Sequence, residues 1–283
     1  MTVASAVGSH DASRPLAGRR IVLTRPRDQA GDFDARVVAL GGTPVIAPAI
    51  AIAEPSSWSA VDEALARLGD YDWVAFTSAN AVRALANRAR RLGLDAASIG
   101  QRRVAAVGPA TAAALEATVR APDVVASVHG ADTLAAEVPV ARDARVLFPC
   151  GAMARDALPL ALRERGALVD DVVVYRTVAG EGVPVIADAL RNGTADAVLF
   201  ASPSAVSFVA QALDDPARSR RTTVVGLRVM VFCLGPTTEA AARAAGFEPA
   251  ATARAATQDE LIDEVARWFA PAHLARHSEP VRC

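Results

Sequence analysis

At 283 residues with 52% apolar side chains, the chain is long enough for one large or two medium domains with real cores, and this excludes a disordered or fibrous protein. Its formal charge of −1 excludes a global pull toward nucleic acid or an anionic membrane, so any anion site must be built locally from arginines and backbone dipoles. Three widely spaced cysteines, Cys150, Cys233 and Cys283, exclude a disulfide framework and a zinc-ligand pattern and suit a reducing, cytoplasmic compartment.

The first 18 residues are small and polar, without a basic start followed by an apolar stretch, so no signal peptide is expected there. Residues 1–18 and 271–283 are expected to be disordered tails. From Arg20, RIVLTRPRDQAGDFDARVVALGGTPVIAPAI reads as a strand, a Pro-bearing polar turn, a helix closed by Gly41, and a second strand. WVAFTSANAVRAL from Trp73 reads as an apolar strand ending in Ser78, then a helix. VAAVGPATAAAL from Val104 reads as a strand, Gly108-Pro109, a hydroxyl residue, then a helix.

The same three segments then recur in the same order. RVLFPCGAMARDALPLALRERGALVDDVVVY from Arg145 repeats the first, with Gly166 in the place of Gly41. AVLFASPSAVSFV from Ala197 repeats the second, with Ser202 in the place of Ser78, and VFCLGPTTEAAARAAG from Val231 repeats the third. Strands alternating with helices predict an α/β fold: two similar lobes, each a parallel sheet flanked by helices. The duplication alone leaves open whether the lobes form a simple tandem or an exchanged pair. The Pro- and Gly-bearing stretches 51–57 and 176–184 suit two extended crossings between lobes.

In open parallel sheets, ligands bind beyond the carboxyl ends of the strands. The turns expected there are Thr24-Arg25-Pro26, Thr77-Ser78-Ala79-Asn80, Gly108-Pro109-Ala110-Thr111, Cys150-Gly151, Ser202-Pro203-Ser204 and Gly235-Pro236-Thr237-Thr238. Each puts small or hydroxyl residues at a helix start, where free N–H groups and the helix dipole favour an anion. Any one of them is explained as well by helix capping; six together suggest a polar cleft rich in donors. Arg25, Arg27, Arg155 and Arg163 are candidate carboxylate partners, or solvated surface charges. Tyr175 follows the apolar run 172–174 and is a candidate hydrogen-bond donor or general acid, or a structural strand-end tyrosine.

The usual markers of other chemistries are missing. There is no G-x-G-x-x-G, no G-x-x-x-x-G-K-[ST] and no G-x-S-x-G. His129, His273 and His277 lack the context of a metal site or a catalytic triad.

The ordered pieces VLTRP, FTSANAV, VGPATA, LFPCG, VVVYRT, FASPSAV and LGPTTEAA resemble the uroporphyrinogen-III synthase family from about Arg19 to Ala270. The resemblance implies an exchanged fold, with residues 19–50 and 177–270 in the first lobe and 51–176 in the second. It implies a linear tetrapyrrole substrate with eight carboxylates, hydroxymethylbilane, closed to uroporphyrinogen III with loss of water and inversion of the last ring. It implies no cofactor and no metal, a monomer, and no nucleic-acid or membrane partner. By resemblance Tyr175 is the catalytic residue. The residues expected to bind substrate are Thr24, Arg25, Ser78, Ala79, Asn80, Gly108, Thr111, Cys150, Gly151, Arg155, Ser202, Ser204, Gly235, Thr237 and Thr238. The competing expectations are a two-lobed receptor that binds a small anion without converting it, and a nucleotide enzyme on paired lobes. Ligand turnover separates the first and a glycine fingerprint the second.

Overall fold

The computed structural model describes residues 14–25, 32–128, 130–154, 157–214, 229–255 and 257–270. The chain opens with β1 (Arg20–Leu23), α1 (Phe33–Ala39), β2 (Thr43–Ile46) and β3 (Ile50–Ala53). It continues through α2 (Ser59–Ala66), β4 (Trp73–Phe76), α3 (Ala79–Arg91), β5 (Arg103–Ala106), α4 (Pro109–Thr118), β6 (Val124–Val125) and α5 (Ala131–Glu137). Then come β7 (Arg145–Gly151), α6 (Ala157–Glu164), β8 (Leu168–Ala179), α7 (Val183–Asn192), β9 (Ala197–Phe200) and α8 (Pro203–Asp214). Last are β10 (Met230–Cys233), α9 (Pro236–Ala244), β11 (Pro249–Thr252) and α10 (Gln258–Phe269).

The described residues divide into two compact units, one holding those up to Ala51 and from Val178 on, the other Ile52–Thr177. The first unit carries a sheet of order β11-β10-β9-β1-β2, in which every pair is parallel. The sheet of the other unit has order β3-β8-β7-β4-β5-β6, with β4–β5, β4–β7, β5–β6 and β7–β8 parallel. Its edge strand β3 and its long strand β8 each run across the division between units.

Side-chain alternation divides each core into two layers. In the first unit Ile21 and Leu23 pack under α1 and α10, while Val22 packs on the other face with α7, α8 and α9. In the second, Val74 and Phe76 face α2, α3 and α4, while Trp73 and Ala75 face α5 and α6. Strands β4 and β9 are buried at every position, which explains their unbroken apolar runs WVAF and AVLF. Gly41 and Gly166, the expected helix-closing glycines, both have φ of 88°, a left-handed conformation that a side chain disfavours. Cys233 is buried in the α7–α9 layer, and burial pushes its thiol up to about 12.

The turn expected at Pro149 needs correction. Pro149 lies inside β7 rather than in a turn. It stands beyond the last β7 residues paired with β4, so that ladder ends before the missing N–H is needed. Among the described residues no helix is long and apolar enough to cross a membrane. Of the expected disordered tails 1–18 and 271–283, residues 14–18 are ordered instead, because Leu16 is buried in the core and its N–H donates to Leu40 O at 3.0 Å. Residues 1–13 and 271–283, with His273, His277 and Cys283, lie outside the described residues, as does His129.

At the amino ends of the second unit's strands, Tyr71 is 1% exposed and its O–H donates to Asp170 Oδ2 at 2.7 Å. Burial first, and then this hydrogen bond, push its pKa up to about 12. An unfolded phenol titrates near 10, so the stabilisation is complete below that pH and is lost as pH rises toward 12. Tyr71→Phe is expected to lower stability by about 1 kcal/mol at neutral pH. Urea unfolding at stepped pH should show the variant losing less stability than wild type between pH 10 and 12.

Candidate active site

The candidate turns lie at the carboxyl ends of the strands in both units, and each unit's edge is built the same way. In the second unit β4 runs into Ser78, the N-cap of α3, whose Oγ accepts the N–H of Asn80 at 3.1 Å. After β5, Gly108 caps α4 and Pro109 takes the first helical position, where a missing N–H breaks no helical bond. Thr111 follows, 4% exposed, its hydroxyl without a hydrogen-bond partner among the described residues. Tyr175 is half-buried on β8, and its O–H donates to Ser78 Oγ at 3.2 Å, long for an O–H···O bond. Ser78 therefore accepts from both Tyr175 and Asn80, which occupies its two lone pairs and leaves its own proton to offer.

The first unit repeats the pattern. Ser202 Oγ accepts the N–H of Ala205 at 3.2 Å in the first turn of α8, and Ser204 is half-buried beside it. Gly235 caps α9 with Pro236 at its first position; Thr237 is exposed. Thr238 is 3% exposed and, like Thr111, its hydroxyl meets no partner among the described residues. The next residue, Glu239, is held by Thr252 and by Arg243 at 3.0 Å, and both lower its carboxyl pKa. Arg25, just past β1, is half-buried, and that burial lowers its guanidinium pKa.

Two candidates turn elsewhere. The Thr24 hydroxyl is 2% exposed and donates to Leu199 O at 2.7 Å, tying β1 to β9. The Cys150 thiol is buried in the layer under α5 and α6 and reaches Val172 O at 3.6 Å. Both hydrophobic sheets draw these small side chains inward, so only their backbone is left for the edge. Arg163 bonds Val169 O at 2.8 Å and pairs with Asp171, toward the start of β8 and away from the site. Arg155, Arg27 and Pro26 lie outside the described residues. Arg83, absent from the sequence candidates, belongs to the α3 edge, its Nη1 3.4 Å from Asn80 Oδ1. The signal for it is its i, i+3 spacing from Asn80.

Among the described residues no three His, Cys, Asp or Glu side chains cluster as metal ligands would. What each edge offers is N–H groups of helix first turns, hydroxyls and arginine, donors for carboxylates, and the second unit's edge adds a phenol and a serine in contact.

The sequence pattern of the family described as uroporphyrinogen-III synthase HemD matches residues 31–263. Uroporphyrinogen-III synthase of Synechococcus elongatus is 32% identical over 198 residues, covering 69% of this chain and 75% of that protein. Porphyrin biosynthesis protein HemD of Ruminiclostridium josui is 26% identical over 256 residues, covering 89% of this chain; the chain spans 49% of that longer protein. The crystal structure of a mutant uroporphyrinogen III synthase from the extremely thermophilic bacterium Thermus thermophilus has a TM-score of 0.60 and 24% identity, covering 88% of this chain and 98% of that one, a likeness of fold.

Proposed function

The chain belongs to the uroporphyrinogen-III synthase family and is a cyclising lyase of tetrapyrrole biosynthesis, and we propose that its substrate is hydroxymethylbilane. The C–O bond of the terminal hydroxymethyl group breaks, and the hydroxyl leaves as water after taking a proton. The terminal pyrrole nitrogen supplies the electron pair that stabilises the cation. The substituted position of the last ring attacks the cation to give a spiro intermediate. The bond from that position to its original methylene bridge then breaks, leaving a second pyrrole-stabilised cation on the bridge. The last ring's free α-position attacks it, closing the macrocycle with that ring inverted as the α-carbon gives up its proton. Electrons and protons balance without an oxidant or reductant.

The protein's part is orientation and one proton. Tyr175 gives or orients the proton for the leaving hydroxyl, and its O–H lies 3.2 Å from Ser78 Oγ, within reach of a second hydroxyl. Thr111, Thr238 and the first-turn N–H groups of α3, α4, α8 and α9 take substrate carboxylates. Arg25 adds charge whose burial favours an anionic partner. Holding a floppy, multiply charged chain in one productive pose is worth several kcal/mol of barrier. We assign the enzyme no cofactor, a monomeric state and a cytoplasmic location, the last supported by its buried thiols.

The observation that carries this reading is the Tyr175–Ser78 contact at an edge otherwise made of anion donors. The test is incubation of the purified protein with hydroxymethylbilane, followed by oxidation and separation of porphyrin isomers. Type III is expected; type I alone, the product of unguided closure, overturns the proposal. Thr238→Ala is expected to raise KM about tenfold with kcat within about threefold, the loss of one hydrogen bond to a charged group. Initial rates across substrate concentration check it.

A further inference from the structure

Strand β8 follows β7 residue for residue from Arg145 opposite Leu168 to Cys150 opposite Val173. One residue of β8, Val174, is then passed over, and Gly151 faces Tyr175. Such a bulge re-aims the side chain that follows it. Simple alternation would send Tyr175 to the face of Val173, which is exposed. Its ring packs instead against the cluster that holds Val172 and Val174. The ring then lies directly on Gly151. A Cβ placed there would come within 2.7 Å of Tyr175 Cζ, 2.9 Å of its hydroxyl oxygen and 3.0 Å of Cε2, and all three nearest atoms belong to that one side chain. The carbonyl of Tyr175 also accepts the N–H of Ala152 at 3.0 Å, so the strand is tied down on both sides of the contact.

We propose that Gly151 is a positioning residue for the reaction: the bulge and the bare Cα together form a seat for the phenol of Tyr175 that keeps its O–H on Ser78 Oγ. This rests on the role given to Tyr175 above. Gly151 touches no reacting atom in this reading; it acts through the ring, and a side chain at 151 would lift the hydroxyl away from Ser78.

The chain has two tyrosines, so protein labelled with ¹³C at tyrosine Cζ gives two resonances, Tyr71 and Tyr175. In Gly151→Ala the Tyr175 resonance is expected to move while Tyr71, bonded to Asp170, stays in place and reports an intact fold. With hydroxymethylbilane the variant should lose about tenfold or more in kcat, with KM within about threefold, and the double variant with Tyr175→Phe should be no slower than Tyr175→Phe alone. If Gly151→Ala alone does not fold, Gly151→Ala/Tyr175→Ala should fold, because the obstructing ring is gone. An unmoved Tyr175 resonance, losses that multiply in the double variant, or a Tyr175→Ala background that gives no relief would each overturn the proposal. The resonance and the folding rescue do not depend on the reaction. A wild type that fails to form type III therefore sinks the functional reading and leaves the seat testable.

Discussion

Tyr175→Phe is expected to lower kcat by about 10²-fold or more while KM stays within about threefold of wild type. The substitution removes one oxygen and keeps the ring that lies on Gly151. Ser78 Oγ loses one of its two donors and keeps the N–H of Asn80, so the start of α3 remains capped. The donors assigned to substrate carboxylates are untouched, which is why binding should survive. The loss falls on the step in which the terminal hydroxyl departs. Initial rates of type III formation, corrected for spontaneous type I, measure it. Unchanged turnover would remove Tyr175 from the mechanism, whatever its place on β8.

Gly182→Ala should be the most damaging single change to stability, lowering it by about 3 kcal/mol or more. Gly180 and Gly182 sit where β8 gives way to α7, pressed against the stretch between β2 and β3. A Cβ on Gly182 would lie 2.2 Å from Ala47 C and 2.5 Å from Pro48 N; one on Gly180 would lie 2.2 Å from Pro48 O. These are backbone atoms, which cannot rotate aside as a side chain can. The same approach lets Gly180 N–H donate to Ala49 O at 3.0 Å and Gly182 N–H to Pro48 O at 2.9 Å. A melting temperature lower by roughly 6–12 °C is expected. Gly69→Ala is the control: a Cβ there meets nothing within 4 Å, and the change should stay within about 0.5 kcal/mol. A Gly182→Ala protein that melts with wild type would show that the two backbones separate at little energetic cost.

The readable part of this molecule is the part encoded locally. A strand covered on both faces must be apolar throughout, and the residue after it must begin a helix; WVAFTS and AVLFAS carry both requirements in consecutive residues. Gly108-Pro109 and Gly235-Pro236 are likewise local, since a capping residue followed by proline states where a helix starts. Thr24 carries the same signal as Ser78, a hydroxyl at a strand end. Its partner, however, is the carbonyl of Leu199, 175 residues away, and no window on the sequence contains both. The apolar run 172–174 puts Tyr175 at the end of a strand, whereas β8 continues to Ala179. What aims its ring is a register shift set by β7, and the residues of β8 by themselves do not record it. The thiol of Cys150 turns inward for a similar reason: the face it occupies is decided by the helices packed on that sheet.

The division of the chain has a consequence for its synthesis. Strand β1 pairs on one side with β2, its near neighbour, and on the other with β9. At about 5–20 residues per second, β9 leaves the ribosome roughly eight to thirty seconds after β2. Throughout that wait Ile21, Val22 and Leu23 have only half a sheet to bury them, and before it ends Ile52–Thr177 is whole and free to fold. The nascent amino-terminal segment is thus a sticky orphan that must be shielded until its far partner emerges.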